Sequence, residues 1–191
     1  MIYIAYNRLG SPGMSVQASS VEDRLLKLQL RLAQLEKQES CRENFLDFVT
    51  TMWPDFISGR HHRIIAEKLE RVARGELKRL IINMAPRHTK SEFASFLFPA
   101  WMMGKNPSMK IIQATHTTEL AVNFGRKTKN LIDSDEFKTV FPEVKLAADS
   151  KASGRWDTSR GGMYYAVGVG SNLAGRGGDL VIIDDPHSEQ T

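Results

Sequence analysis

A lysine and a serine, Lys90-Ser91, stand directly after an apolar run and a tight polar turn, Leu80-Ile81-Ile82-Asn83-Met84-Ala85-Pro86-Arg87-His88-Thr89. The order reads as a buried strand, a turn and the opening of a helix. A nucleoside triphosphate is held in this setting in a P-loop. Backbone N–H groups of the turn face the phosphates and the helix N-terminus adds partial positive charge. The lysine reaches the β/γ-phosphates, and the serine hydroxyl helps bind Mg²⁺. Far downstream, a second run that reads as a buried strand, Leu180-Val181-Ile182-Ile183, ends in Asp184-Asp185. Two carboxylates at a strand end supply what the lysine site lacks. One belongs in the magnesium shell, and the next orients or deprotonates the attacking water.

The turn departs from the usual form. The pattern G-x-x-x-x-G-K-[ST] would place glycines at 84 and 89, where this chain has Met84 and Thr89. A non-glycine residue there must accept strained dihedrals, or the loop must follow another path. Taken alone, Asp184-Asp185-Pro186 also reads as a strand-ending turn with an Asx cap.

The segment Ala85-Pro86-Arg87-His88-Thr89-Lys90-Ser91-Glu92 resembles the deviant Walker A motif of the large terminase subunit of tailed bacteriophages, in which a Pro-Arg-His-x-Lys-Ser core replaces the glycine-rich form. Ile182-Ile183-Asp184-Asp185-Pro186 is similar to that family's Walker B, and Ser171 to Asp179 to the glycine-rich approach before it. The resemblance runs from about Glu43 to Thr191. It implies the ATPase domain of a viral DNA-packaging motor: an α/β RecA-like (ASCE) P-loop NTPase core with a mainly parallel sheet, preceded by a helical N-terminal segment. ATP and Mg²⁺ are the implied cofactors. Double-stranded DNA, the portal protein, the small terminase subunit and further copies in a ring on the portal are the implied partners. The implied location is the host cytoplasm, with transient residence on the procapsid.

Residue roles follow from position and from the resemblance. Pro86, Arg87, His88, Thr89, Lys90 and Ser91 would cradle the phosphates, with Ser91 and Asp184 on Mg²⁺ and Lys90 neutralising phosphate charge. Asp185 stands where terminases carry a catalytic glutamate, one methylene longer. Arg87 resembles an arginine retained in that loop, which could contact the γ-phosphate. His61-His62 falls where related packaging ATPases keep polar residues that contact the adenine, so His62 is an adenine candidate. Two histidines at a helix start also serve as surface or capping residues. Arg176, flanked by Gly175 and Gly177-Gly178, suits an arginine finger reaching across a subunit boundary, or a solvated loop.

The elements that must position these residues can be read from periodicity. Residues 1–20 read as a flexible extension, 21–75 as a helical segment and 76–191 as the ATPase core, stopping short of a coupling motif and of the family's nuclease domain. Val21, Leu25, Leu28, Leu32 and Leu35 recur at four-three spacing behind Ser20 as an N-cap. Such a helix either packs on its own domain or docks on another subunit. Two further helices occupy Cys41 to Gly75, interrupted at Pro54 and closed by Gly75. A helix spans Lys90 to Met103, with Phe93, Phe96, Leu97 and Trp101 packing on the sheet. Lys110 to Thr115 is a buried strand and Thr117 to Ile132 a crossover helix, implying parallel strands. His116-Thr117-Thr118 lies at the carboxyl end of that strand, beside the expected ligand crevice. Trp156 to Val169 reads as a β-hairpin around Arg160-Gly161-Gly162.

Composition adds bounds rather than identity. With 41% hydrophobic and 25% charged residues, the 191-residue chain suits one globular core. Lys+Arg 26 against Asp+Glu 22 leaves +4, compatible with phosphate or DNA contacts without requiring them. One cysteine, Cys41, excludes an internal disulfide framework and suits a reducing compartment. No apolar run is long enough to cross a bilayer, and Met1 to Tyr6 is too short and uncharged for a signal peptide. Two other functions fit parts of the pattern: a helicase-like, nucleic-acid-stimulated NTPase, and a catalytically weak nucleotide-binding fragment that acts as an adaptor on the portal or small subunit.

Overall fold

A computed structural model describes residues 15–150, 152–171, 175 and 177–187. The chain divides into two compact units, Met1–Lys37 and Gln38–Thr191. Most of the first is one long helix, α1 (Ser15–Glu43), whose last residues enter the second unit. The helix begins ahead of the expected N-cap, so Ser20 lies inside it. Residues 15–20, expected in a flexible extension, are helical, and residues 1–14 lie outside the described residues.

The second unit is α/β. Its helices are α2 (Phe45–Met52), α3 (Arg60–Ala73), α4 (Phe98–Lys105), α5 (Thr118–Asp133) and α6 (Asp135–Val140). Its strands are β1 (Lys110–Thr115), β2 (Arg155–Asp157), β3 (Met163–Gly168) and β4 (Leu180–Asp184). They form one mixed sheet in the order β2-β3-β1-β4. The β1–β3 and β1–β4 pairings are parallel, and the β2–β3 hairpin is antiparallel. Thr115 stands in register with Gly168 on one side and Asp184 on the other, so three parallel strands end on a common line.

Local chemistry accounts for the helix ends. The Asn44 side chain accepts the Asp47 N–H at 2.9 Å and caps α2, and Thr117 and Ser134 cap α5 and α6 in the same way. Gly75, at φ 75°, closes the C-terminus of α3, where a side chain would be strained. α2 and α3 belong to the second unit. Phe45 of α2 packs against Phe93, Phe98 and Trp101, with centroids 5.3–5.7 Å apart. Residues on both sides of Gly75 share one apolar core, and the two compact units part at Lys37. Cys41, fully buried, sits at this junction; its carbonyl accepts the Trp101 indole N–H at 2.8 Å.

One expected element is absent from the sheet. Leu80–Ile82 is not a buried strand. Leu80, Ile82 and Met84 are partly buried against the core while Ile81 and Asn83 are exposed, so the alternation of an extended chain is present without a ladder partner. The sheet ends at β4, and a cleft of about 600 Å³ separates β4 from Lys78–Asn83.

The far side of the sheet is tightly closed. Trp156 and Tyr164 stack with centroids 5.0 Å apart, and the Trp156 indole N–H donates to the Gly125 carbonyl at 3.1 Å. A Cβ on Gly125 would lie 2.4 Å from the Ser153 carbonyl oxygen and 3.1 Å from the Tyr164 ring. Backbone cannot yield as a flexible side chain does. Gly125→Ala should therefore cost about 1–3 kcal/mol of stability, read as a lower denaturant midpoint at unchanged slope. An unchanged midpoint would show that α5 can move away from the hairpin freely.

Candidate functional site

The carboxyl ends of β1 and β4, the turn at 85–89 and the start of the following helix surround a cavity of about 920 Å³. Thr89, Lys90, Ser91, His116 and Asp185 line it. The helix begins at Lys90, passes through a π-helical stretch, Glu92–Leu97, and continues directly as α4. The Phe98 N–H reaches the Phe93 carbonyl, the widened i→i+5 spacing of a π turn, a feature often found at functional sites. Phe93, Leu97 and Trp101 are buried, as their spacing anticipates, although Phe93 packs on Phe45, Phe56 and His62 of the helical layer rather than on the sheet.

Lys90 is the centre of the site. Its Nζ donates to Asp185 Oδ1 at 2.5 Å and lies 3.5 Å from Asp184 Oδ1. The hydrogen bond to Asp185, aided by the charge of Asp184, raises the Lys90 pKa and keeps the ammonium protonated. The two aspartates differ in setting. Asp184 is 7% exposed, and its Oδ2 accepts the Ser95 hydroxyl at 2.9 Å. The Asp185 side chain is 67% exposed and leaves the strand end at φ 43°, in the left-handed region. One carboxylate is largely buried; the other is exposed to water. Ser95 is a member of the site that sequence reasoning missed. Its only signal is its position one helical turn after Ser91.

The turn itself is strained. Arg87 and Thr89 have φ 63° and 62°. For a β-branched residue such a value is an outlier, costing about 1–2 kcal/mol. Thr89 thus adopts the left-handed conformation rather than sending the loop along another path, while Met84 stays at negative φ. Side-chain bonds hold the turn in place. The Thr89 hydroxyl donates to the His88 carbonyl at 2.6 Å and receives the His62 Nε2–H at 2.7 Å. His88 Nδ1–H donates to the Pro86 carbonyl at 2.9 Å. The N–H groups of Arg87 and Thr89 have no hydrogen-bond acceptor among the described residues. Free donors of this kind at a helix start could receive an anion.

His62 has a different place from the expected adenine contact. It is 6% exposed, and its Nδ1 accepts the Gly59 N–H at 2.9 Å. That bond requires Nδ1 to be unprotonated, so Nε2 carries the hydrogen given to Thr89. Both nitrogens are used inside the chain, which makes His62 a brace for the turn. The His61 ring lies 3.8 Å from its own, and Phe93 stacks on it at 5.0 Å. Arg176 lies outside the described residues.

The donor set fits a nucleotide with Mg²⁺. Among the described residues no three His, Cys, Asp or Glu side chains form a ready-made metal cage. Mg²⁺ typically needs only one or two protein ligands when phosphate oxygens and water complete its octahedron. Ser91 and Asp184 are the residues that could supply them. No protein family, curated protein or solved structure matches the chain. No helix among the described residues is long and apolar enough to cross a membrane.

Two predictions follow from the brace. Burial, aided by the charges of His61 and His88, lowers the His62 pKa below its ordinary 6.5. Below pH 6.5 the unfolded chain gains a proton that the folded chain refuses, so the stability contribution is full above that value and is lost as pH falls toward the folded pKa. His62→Asn, which keeps an acceptor for Gly59, should lose less stability than the parent between neutral pH and about pH 5, measured by urea unfolding. Equal losses would remove His62 as the source. At the strained position, Thr89→Gly should be more stable than Thr89→Ala by about 1 kcal/mol, because both lose the His62 bond and only alanine keeps the strain. Equal unfolding free energies would mean the loop relaxes to negative φ.

Proposed function

We propose that this chain is an ATP-hydrolysing P-loop domain with a RecA-like core, of the kind by which the large terminase subunit drives double-stranded DNA into a procapsid. The observation that carries this reading is the convergence of Lys90 with Asp184 and Asp185. A turn with free N–H groups and a strand end distant in sequence meet through one ammonium. A structural ion pair would not require the left-handed backbone at Thr89 or the free donors beside it. DNA, the portal protein and the small terminase subunit are the partners this reading carries with it.

The chemistry assigned to each residue follows from its environment. ATP·Mg²⁺ supplies the γ-phosphoryl group and the metal that neutralises its oxygens. The N–H groups of Arg87 and Thr89 receive phosphate oxygens, and Lys90 turns from Asp185 toward the β/γ-phosphates. Asp184, fixed by Ser95, holds a metal ligand position. Asp185, released by Lys90, becomes free to orient a water and accept its proton. The ion pair therefore keeps the base occupied until phosphate competes for the lysine. His116 borders the same cavity and offers a polar edge to the γ-phosphate side.

A second reading has one observation in its favour. Asp185 is short, wet and conformationally strained, which suits a site that binds nucleotide and turns it over slowly, as an adaptor would. Substitution separates the two. Lys90→Ala should weaken ATP·Mg²⁺ binding by at least roughly tenfold, 1.4 kcal/mol, in calorimetric titration, and abolish hydrolysis. Asp185→Asn should bind ATP and lose turnover by roughly two orders of magnitude or more, while Asp185→Glu should keep or raise the rate. Unaltered affinity in Lys90→Ala ends the phosphate reading; turnover in Asp185→Asn equal to the parent's removes Asp185 as the base.

A further inference from the structure

α1 carries an apolar seam that is exposed among the described residues. Val21, Leu25, Leu28, Leu32 and Leu35 are all exposed, from 45% at Leu35 to 67% at Leu28. Their four-three spacing places Val21, Leu28 and Leu35 at d positions of a heptad and Leu25 and Leu32 at a positions. Leu26 and Leu30 are also exposed but lie at b and f, away from the seam. A lone helix in water gains little from propensity and needs its apolar stripe covered to persist.

The flanking charges say what covers it. With Leu25 and Leu32 at a, the e positions are Glu22, Gln29 and Glu36, and the g positions include Arg24 and Arg31. All five are exposed, and neither Arg31 nor Glu36 has an ion-pair partner among the described residues. In a parallel pair of identical helices, each g residue faces the e residue five positions on in the other helix. Arg31 then meets Glu36 of the partner subunit, twice by symmetry, and Arg24 meets Gln29 of the partner subunit. In an antiparallel pair g faces g and e faces e. That arrangement sets arginine against arginine and, in the longer overlap, Glu22 against Glu36 of the partner subunit.

We propose that α1 is a self-association helix, pairing in parallel and in register with α1 of a second copy of this chain as a two-stranded coiled coil. The five seam residues form its core and the Arg31–Glu36 pairs fix its direction. The pairing holds two copies of the second unit by their N-terminal sides. It draws on α1 alone and does not depend on the nucleotide reading, so either can fail without the other.

Sedimentation equilibrium of the full chain, together with cysteine cross-linking, tests the proposal. The parent should have the mass of two copies, and Leu28→Lys/Leu32→Lys should weaken association by roughly two orders of magnitude or more. Near-UV circular dichroism should stay unchanged, because the aromatic residues among those described all lie in the second unit. Arg31→Glu and Glu36→Arg should each self-associate more weakly than the parent and pair preferentially with one another when mixed. Val21→Cys and Leu35→Cys, oxidised separately, should each give a disulfide-linked dimer, since only a parallel in-register pair brings both ends of the seam face to face. A parent that stays monomeric across the micromolar range, a mass of three or more copies, association indifferent to the lysine substitutions, or dimers in which neither cysteine cross-links would each overturn it.

Discussion

The contact between Lys90 and the aspartates at the end of β4 is the constraint on which the site depends. It ties the start of a helix to a strand end that lies nearly a hundred residues further along the chain, and no backbone pairing does this, because the segment before the turn never joins the sheet. The balance is electrostatic. Asp184 is buried enough that its carboxylate needs partners, and Lys90 and Ser95 provide them. A charge removed from water without compensation costs several kcal/mol, so the turn, the π-helical stretch and β4 are held to one geometry. Glu92 extends the tie by pairing with Lys127 of α5 at 2.7 Å.

Strain and support are distributed around that contact. Arg87, Thr89 and Asp185 all have positive φ, and all three lie within the turn or at the strand end that face each other. Left-handed conformations of this kind persist only where surrounding structure over-determines them. The brace from His62 does so for Thr89, and the lysine does so for Asp185. Arg87 has no such partner among the described residues and stays exposed, the arrangement of a residue whose conformation is set by the turn and whose side chain remains available.

Much of this was legible in the sequence, and the failures have physical causes. β1, the hairpin of β2 and β3, β4 and α5 were readable because each carries its own period and its own caps: alternation in the strands, Thr117 before α5, Gly161-Gly162 between the hairpin arms. The Lys90–Asp184–Asp185 grouping was readable because strand ends in a parallel sheet converge. Leu80–Ile82 misled because an apolar run reports burial of side chains, whereas sheet membership needs a partner's backbone, which sequence does not display. The bonds of His62 to Gly59 and Thr89 were not legible because a histidine beside a loop has the same letter whether its nitrogens face a ligand or the chain itself. Ser95 was hidden because a serine one helical turn after Ser91 has the same letter whether or not it meets a carboxylate. Residues on both sides of Gly75 share one core because aromatic residues of α2 and α3 complete the part begun by Phe93 and Trp101.

Cys41 gives the chain an internal clock. It is the single thiol, fully buried where α1 enters the second unit, with its sulfur against Thr51 Oγ1 at 3.3 Å and its carbonyl bound to Trp101. A thiol in that position reacts with a water-soluble reagent only when the core around it opens, so its modification rate is the frequency of that opening multiplied by its intrinsic reactivity. Because Cys41 lies in the aromatic core of the second unit, that rate reports how often this core opens around it.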